Sequence, residues 1–316
     1  MPSVSVIITS HDRPALLARA VASAHAAGRD VEVVVVDDAS EDKTAEVCRD
    51  LESIKYVRIE RNQNVAGARN VGILNSTAEF ITFLDDDDLR LPDTLDRQAS
   101  MLQSKPDAGF VFGQALIDDG SGNPPTDYYP RHCPQGDVLA QLLTQNFIPC
   151  GSVVFRRSCL FRVGLLDASI PGIDDWDLWI RIASLYPVQA VAQPVMIWRK
   201  SSPTSGQGTS HADRMVVLST RQFQNKWSKI ARVRVESDEA RQQISRQFSR
   251  NMGCHLLVEA SRSLSYGRLG EALSNSLIAV RLHPRGTVQT IIGAATRSRQ
   301  KRAAATITNV SVRETK

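Results

Sequence analysis

With 316 residues, 42% of them hydrophobic and 23% charged, the chain is long enough to bury a sizeable core and has the composition of a globular protein. A formal net charge of +4 does not mark the whole chain as a nucleic-acid binder. No apolar run approaches the ~18 residues of a membrane span, and Cys48, Cys133, Cys150, Cys159 and Cys254 lack the C-x-x-C spacing of a zinc site or a disulfide framework.

The odd cysteine count, and an N-terminus that runs straight into an apolar segment without a basic region or cleavage site, place the protein in the cytoplasm. Val4 to Thr9 reads as a first strand, and His11-Asp12-Arg13-Pro14 turns it into a helix with Leu16, Leu17, Ala20, Val21 and Ala24 on one face, ended by Gly28. Val31 to Val36 is almost uniformly apolar, as a strand covered on both faces must be. Strand, helix, strand in some thirty residues is a βαβ unit, so the fold class is α/β with a mostly parallel, doubly wound sheet.

The second strand ends in Asp37-Asp38-Ala39-Ser40, and Lys43 to Leu51 follows as a helix. Tyr56 to Ile59 is a third strand. Asn64 to Gly72 begins a helix in which Gly67 and Ala68 permit close approach and Arg69 offers a cationic fork for phosphate. Ile81 to Leu84 is a fourth strand and runs into Asp85-Asp86-Asp87-Asp88. Four adjacent carboxylates at the end of a buried strand need neutralising. A hard cation such as Mg²⁺ or Mn²⁺ would do it, and a solvated acidic turn before a helix starting near Pro92 is the plainer alternative. No G-x-G-x-x-G follows the first strand and no G-x-x-x-x-G-K-[ST] occurs anywhere, which disfavours a dehydrogenase or a P-loop NTPase.

Further on, Leu95 to Leu102 reads as a helix, Gly109 to Phe112 as a strand, residues 118–125 as a loop, Asp137 to Gln145 as a short helix and Ser152 to Phe155 as a strand. Leu178, Trp179, Ile182 and Leu185 have helical spacing, which puts Asp174 and Asp175 in a first turn where acidic groups also suit the helix dipole. Val188 to Val191 and Val195 to Arg199 read as an edge hairpin, and Ser201 to Ser210 as a mobile loop. That loop ends at His211, a surface histidine or a further metal ligand. Residues 1–210 are therefore the α/β domain and 211–316 a helical extension, with helices over Met215 to Trp227, Glu239 to Ser263, Leu269 to Leu282 and Thr287 to Thr296. The tail crowded with Arg297, Arg299, Lys301 and Arg302 is either a solvated terminus or a contact for an anionic membrane surface or nucleic acid.

As an ordered set these segments resemble glycosyltransferase family 2, with its GT-A nucleotide-sugar-binding fold, over residues 2 to 200. Val4 to Thr9 resembles its opening strand, Val36 to Ser40 its base-binding motif, Asn64 to Gly72 its N-x-x-x-x-A-R-N-x-G helix, and Phe83 to Asp88 its DXD-type motif. Asp174 to Trp179 resembles a later motif that usually reads Glu-Asp. The resemblance implies that Thr9 and Asp38 contact the base of a nucleoside diphosphate with Asp37 close by, that Arg69 lies near the diphosphate and that Asp86 reaches the ribose or sugar. It implies Asp87 as metal ligand and Asp175 as the general base, with Asp174 as the alternative base because it stands where the family has Glu.

The activity implied by this resemblance is that of an inverting, Mg²⁺- or Mn²⁺-dependent transferase. It would move a sugar from a nucleoside diphosphate donor, expected to be a uridine one, to a saccharide, lipid-linked or small-molecule hydroxyl. Its partners would include no nucleic acid; contact with the inner membrane face through the basic tail and homo-oligomerisation are further expectations. The rivals are a noncatalytic carbohydrate- or protein-binding module on the same fold, and a sugar-phosphate nucleotidylyltransferase, which would open with a glycine-rich Arg/Lys loop where this chain has His11 to Pro14.

Overall fold

A computed structural model describes residues 3–199 and 211–284. The loop expected over residues 201–210 and the helix expected over 287–296 lie outside the described residues. The chain divides into two compact units, Met1–His211 with Leu218–Val235, and Ala212–Val217 with Glu236–Lys316.

The first unit is built on one sheet. Strands β1 (Val4–Ser10), β2 (Val31–Asp38), β3 (Ile54–Ile59) and β4 (Phe80–Asp85) are mutually parallel in the order β3-β2-β1-β4. The sheet continues through β8 (Val154–Arg156), β6 (Phe110–Asp118) and β9 (Val188–Arg199) to β5 (Leu89–Arg90), while β7 (Tyr128–Tyr129) pairs with β6. The central strands are buried on both faces, as their uniform apolar sequence demands. On one face Val6, Ile8, Val33, Val35, Phe80 and Leu84 share a core with Leu17, Val21 and Ala24 of α1 (Pro14–Ala26), Cys48 of α2 (Thr44–Asp50) and Leu95 and Leu102 of α4 (Thr94–Ser104).

The opposite face is covered by α3 (Asn64–Leu74) and α7 (Asp174–Ala183). There the fully buried Trp179 packs against Phe83, Phe110 and Phe155, at centroid distances of 6.4, 5.5 and 5.7 Å. Two short helices, α5 (Leu139–Thr144) and α6 (Leu160–Val163), complete the set before α7.

Two local readings of the sequence are corrected. The segment expected as an edge hairpin is one strand, β9, which runs parallel to β6; Pro194 pairs with Gln114, and register shifts on either side of that pair skip Ala192, Gln193 and Val195. The helix expected near Pro92 begins at Thr94, because Asp93 takes a left-handed conformation (φ 58°) just before it. The loop expected at residues 118–125 is present and lies in the connection of the β6–β7 hairpin.

Beyond residue 211, α8 (Ala212–Asn225) and the short α9 (Ala231–Arg234) lead to a long helix, α10 (Asp238–Ser265), and to α11 (Leu269–Leu282). Residues 218–235 thus return to the first unit, where Trp227 is buried with its ring 4.8 Å from that of Trp176 and its Nε1 donating to Asp177 Oδ1 at 2.8 Å. In the second unit Ser237 caps α10 by accepting from Ala240 N. Gly267 (φ 73°) ends that helix in a Schellman turn, with Arg268 N bonded to Ser263 O and Gly267 N to Leu264 O.

Close packing of α3 on the sheet yields a test. A Cβ at Gly72 would collide with the Ile7 side chain and lie 3.2 Å from Val36 Cγ2. Overpacking costs ~1–3 kcal/mol, against the ~0.5–1 kcal/mol that alanine gains over glycine within a helix. Gly72→Ala is therefore expected to lower stability by about 1–2 kcal/mol in urea unfolding, and an unchanged midpoint would show that the helix shifts freely.

Candidate active site

Because β1, β2 and β4 are parallel and adjacent, their carboxyl ends share one edge of the sheet. Thr9 stands in register between Val36 and Asp85, and Ser10 beside Asp37. In an open α/β sheet this edge is where ligands bind. Backbone geometry marks it too: Asp12 (φ 54°), Ala39 (φ 63°) and Asn64 (φ 61°) are left-handed non-glycine residues just beyond these strands or at the start of α3.

The pair ending β2 is divided between two tasks. Asp37 is fully buried and accepts from Ser40 N (2.8 Å), Tyr56 Oη (2.6 Å) and Arg58 Nη1 (2.8 Å). Burial pushes its pKa up, but these bonds and the Arg58 charge outweigh it and hold the group below the usual carboxylate range. Asp38 accepts from Gln63 N at 2.7 Å, and its main-chain oxygen lies 2.8 Å from His11 Nδ1. With no guanidinium from the described residues on its side chain, Asp38 is raised by burial despite that bond.

At the end of β4 the four aspartates diverge. Asp86 turns toward β1 and accepts from Ser10 Oγ (2.7 Å) and Arg13 Nη1 (3.0 Å). Asp85, Asp87 and Asp88 instead bring one carboxylate oxygen each within 4.8 Å of one another. The Asp85–Asp88 turn is closed by a bond from Asp88 N to Asp85 O, and Asp88 Oδ1 accepts from Arg199 N at the end of β9 (2.9 Å).

Burial raises all of Asp86, Asp87 and Asp88. Asp86 reaches about 7 even against Arg13 and Ser10, and the charge of Asp85 adds to the rise of Asp87 and Asp88. Three convergent hard oxygen donors whose charges resist one another are the chemistry that suits Mg²⁺ or Mn²⁺, so the residues fit such an ion. His211 is exposed at the start of α8 and is not among the grouped ligand atoms.

Arg69 joins this cluster to α7. Its guanidinium, 5% exposed, donates from Nη2 to Asp85 Oδ1 at 2.7 Å and from Nη1 to Asp174 Oδ2 at 3.1 Å, and lies over the Phe83 ring at 5.2 Å. Its buried Nε has no hydrogen-bond partner among the described residues. The fork expected to face phosphate is thus already engaged by two carboxylates.

Asp174 also accepts from Gly172 N (3.2 Å), so both its oxygens are held. Asp175 accepts, among the described residues, only from Trp176 N, at Oδ1 (2.6 Å). Desolvation and then the neighbouring Asp174 charge push Asp175 up to about 7, against the pull of Arg69. Asp177 of the same turn is structural, bonded to Arg181 Nε (2.7 Å) and Trp227 Nε1.

Sequence reasoning passed over Arg13, which also lies 3.5 Å from Asp87, and over Ser10, Tyr56 and Arg58, which hold Asp86 and Asp37. Arg13 carried a usable signal as a cation three residues past the first strand, at the edge where the acidic groups gather. Tyr56 and Arg58 carried none, because their roles follow from the β2–β3 register, which sets Arg58 beside Asp37.

The sequence model of Glycosyl transferase family 2 matches residues 5–161. An uncharacterized glycosyltransferase of Nostoc sp. is 30% identical over 188 residues, 56% of this chain and 56% of that protein. The GalNAc(5)-diNAcBac-PP-undecaprenol beta-1,3-glucosyltransferase of Campylobacter jejuni is 37% identical over 126 residues, 37% of this chain and 40% of that protein. The chain spans 56% to 61% of the length of the first curated relatives it matches.

Two solved structures have the same fold. S. aureus TarS in complex with UDP-GlcNAc has a TM-score of 0.56 at 14% identity, covering 90% of this chain and 92% of that one. The mannosyltransferase PcManGT from Pyrobaculum calidifontis in complex with GDP-Man and Mn²⁺ has a TM-score of 0.56 at 17% identity, covering 88% and 87%.

The Arg69 bridge makes a stability prediction. Removing one partner of a buried ion pair costs ~3–5 kcal/mol, and Asp85 recovers part of this through its exposure (43%). Arg69→Leu is expected to destabilise by about 3 kcal/mol in denaturant titration, with Arg69→Lys intermediate because an ammonium cannot fork between two carboxylates. Equal stability of Arg69→Lys and wild type would show that the fork geometry does not matter.

Proposed function

The chain carries a glycosyl transferase family 2 domain over residues 5–161, and from that premise we propose that it is an inverting, metal-dependent glycosyltransferase using a nucleoside diphosphate sugar, a uridine one, and a hydroxyl acceptor. The observation that carries this reading is the convergence of Asp38, Asp86, the Asp85/Asp87/Asp88 group and Asp175 on the edge where β1, β2 and β4 end, with Arg69 bonded between two of its parts. The named ligands of the structural relatives, UDP-GlcNAc and GDP-Man with Mn²⁺, support a donor of this class. The undecaprenol-linked saccharide in the name of the C. jejuni relative supports a saccharide or lipid-linked acceptor. The reaction is assigned to the cytoplasm, where the five free thiols are at home; no described helix is long and apolar enough to cross a membrane.

In this reading Thr9 and Asp38 receive the base. Asp38, held at Oδ1 by Gln63 N, offers its other oxygen to an imide N–H, while Asp37, fixed by Tyr56 and Arg58, keeps the end of β2 rigid. Asp86, oriented by Ser10 and Arg13, takes ribose or sugar hydroxyls. Asp85, Asp87 and Asp88 would hold the Mg²⁺ or Mn²⁺, which when bound acts as a Lewis acid on the departing diphosphate. His211 is left at the surface.

Asp175 is the better base. Its second oxygen carries no hydrogen bond from the described residues, whereas both oxygens of Asp174 are engaged by Arg69 and Gly172. A carboxylate raised toward neutrality is also a stronger proton acceptor than an ordinary one once ionised. Arg69 is a positioning residue that holds Asp174 in place beside the base.

A thermal-shift screen of nucleoside diphosphates with and without Mn²⁺ tests donor and metal together. Wild type should be stabilised by UDP more with Mn²⁺ than without, and Asp87→Ala should lose that difference; if no nucleotide shifts the wild-type melting point, the reading fails.

Asp175→Asn should keep nucleotide binding and lose transfer by about 10²–10⁴-fold in kcat. If Asp174→Asn alone does so, the assignment of the base is wrong. The pH dependence has a definite sign. Asp175 must be ionised to accept a proton and its pKa is raised to about 7, so kcat/KM should fall as pH drops below ~7 and level off above it. A profile flat down to pH 5 would exclude Asp175.

A further inference from the structure

The last described helix is apolar on the wrong side. In α11 the residues turned inward are Ala272 (3% exposed), Asn275 (5%) and Ala279 (0%), packed on α10. Four of its large aliphatic residues point out: Leu269 is 70% exposed, Leu273 60%, Leu277 54% and Val280 43%, while Ile278 and Leu282 are half-buried. At 3.6 residues per turn these four fall on one stripe, ~17 Å long.

The arc itself holds no charged residue; Arg281, one turn past Leu277, flanks it, and Arg268 precedes the helix. Glu271, the helix's acidic residue, lies off the stripe and is bonded to Ser263 and paired with Arg268. At the adjoining end of α10, Leu264 and Tyr266 are exposed as well. A solvent-facing helix ordinarily shows the reverse pattern, and a contiguous apolar stripe of this size marks a binding surface.

We propose that this face of α11 docks on an anionic lipid surface. Charge selects that occupant over other apolar partners. The stripe is bordered by arginines and free of carboxylates, and the sequence that follows it, residues 285–316, holds seven Lys or Arg against a single Glu. An apolar helix face combined with a polybasic segment supplies the two signals that interfacial binding requires, one for the acyl boundary and one for the headgroups. The inference stands independently of the reaction assigned to the first unit.

The test is co-sedimentation of the full chain with vesicles of phosphatidylcholine alone or mixed with phosphatidylglycerol. Wild type should pellet with the anionic vesicles, weakly with the neutral ones, and less as salt rises. The double variant Leu273→Asp, Leu277→Asp should lower binding to anionic vesicles by roughly tenfold or more, with an unchanged melting curve because both side chains are already exposed. Changing Arg297, Arg299, Lys301 and Arg302 to Gln should remove the preference for anionic over neutral lipid.

The proposal is overturned if wild type stays in the supernatant, or if the double variant binds vesicles as wild type does. It is equally overturned if light scattering shows a dimer that the double variant splits, which would assign the stripe to a second copy. A melting point lowered by the double variant would assign it to the chain's own later residues.

Discussion

Arg69 reaches from α3 to Asp85 at the end of β4 and to Asp174 at the start of α7, and the arrangement of the acidic edge depends on that bridge. At an effective dielectric near 20, a charge pair at this distance is worth ~4 kcal/mol, comparable with the several kcal/mol needed to desolvate each ion. One guanidinium facing two carboxylates can meet that cost where a single pair would be marginal. The Phe83 ring beneath it, itself packed on Phe155 and Trp179, fixes the height at which the fork sits. The aromatic core is therefore continuous with the chemistry: the packing that buries α7 against the sheet also sets where Asp174 and Asp175 stand.

The cations and donors around each carboxylate explain why chemically identical side chains do different work. A buried aspartate given its own cation and several donors, as Asp37 has in Arg58, Tyr56 and Ser40, stays ionised and becomes part of the frame. One denied these, or crowded by like charges as Asp87 and Asp88 are, has its pKa raised by burial and by its acidic neighbours. Asp86 falls between, with Arg13 and Ser10 insufficient to offset its burial. Roles are thus set by the cationic residues around each carboxylate, whose positions come from strand register more than from the acidic motif itself.

That division governs how much was legible in the sequence. β1, β2 and β4 were readable because a doubly covered strand must be apolar throughout, and the acidic groups stood out because such strands should not end in them. The ordered motifs then supplied the fold. β5 and β7 were invisible, being two residues each and specified by partners far along the chain. β9 was misread because Gln193 and Pro194 look like a turn, and what keeps the chain extended is the bulge opposite β6, a tertiary feature. Within the site, the carboxylates could be named in advance. The engagement of Arg69 by two of them, and the grouping of Asp85 and Asp88 with Asp87 while Asp86 turns away, follow from tertiary placement that no local pattern encodes.

The second unit shows the limit of periodicity from the other side. The leucines of α11 recur with helical spacing, and the usual inference is that such a stripe faces a core. What decides the orientation is the partner helix. Around Gly253, where a Cβ would lie 3.2 Å from His283 Cβ and 3.5 Å from Ala279 O, the backbone of α10 approaches α11 closely. A small residue, Ala279, stands at that approach, and Ala272, Asn275 and Ala279 are the residues of α11 that are buried. α10 buries Phe248, Met252 and Leu256, while α11 turns its small residues inward and leaves four aliphatic ones exposed. A hydrophobic pattern fixes the helix and its stripe; which stripe faces inward is set by the smallest residues on the neighbour.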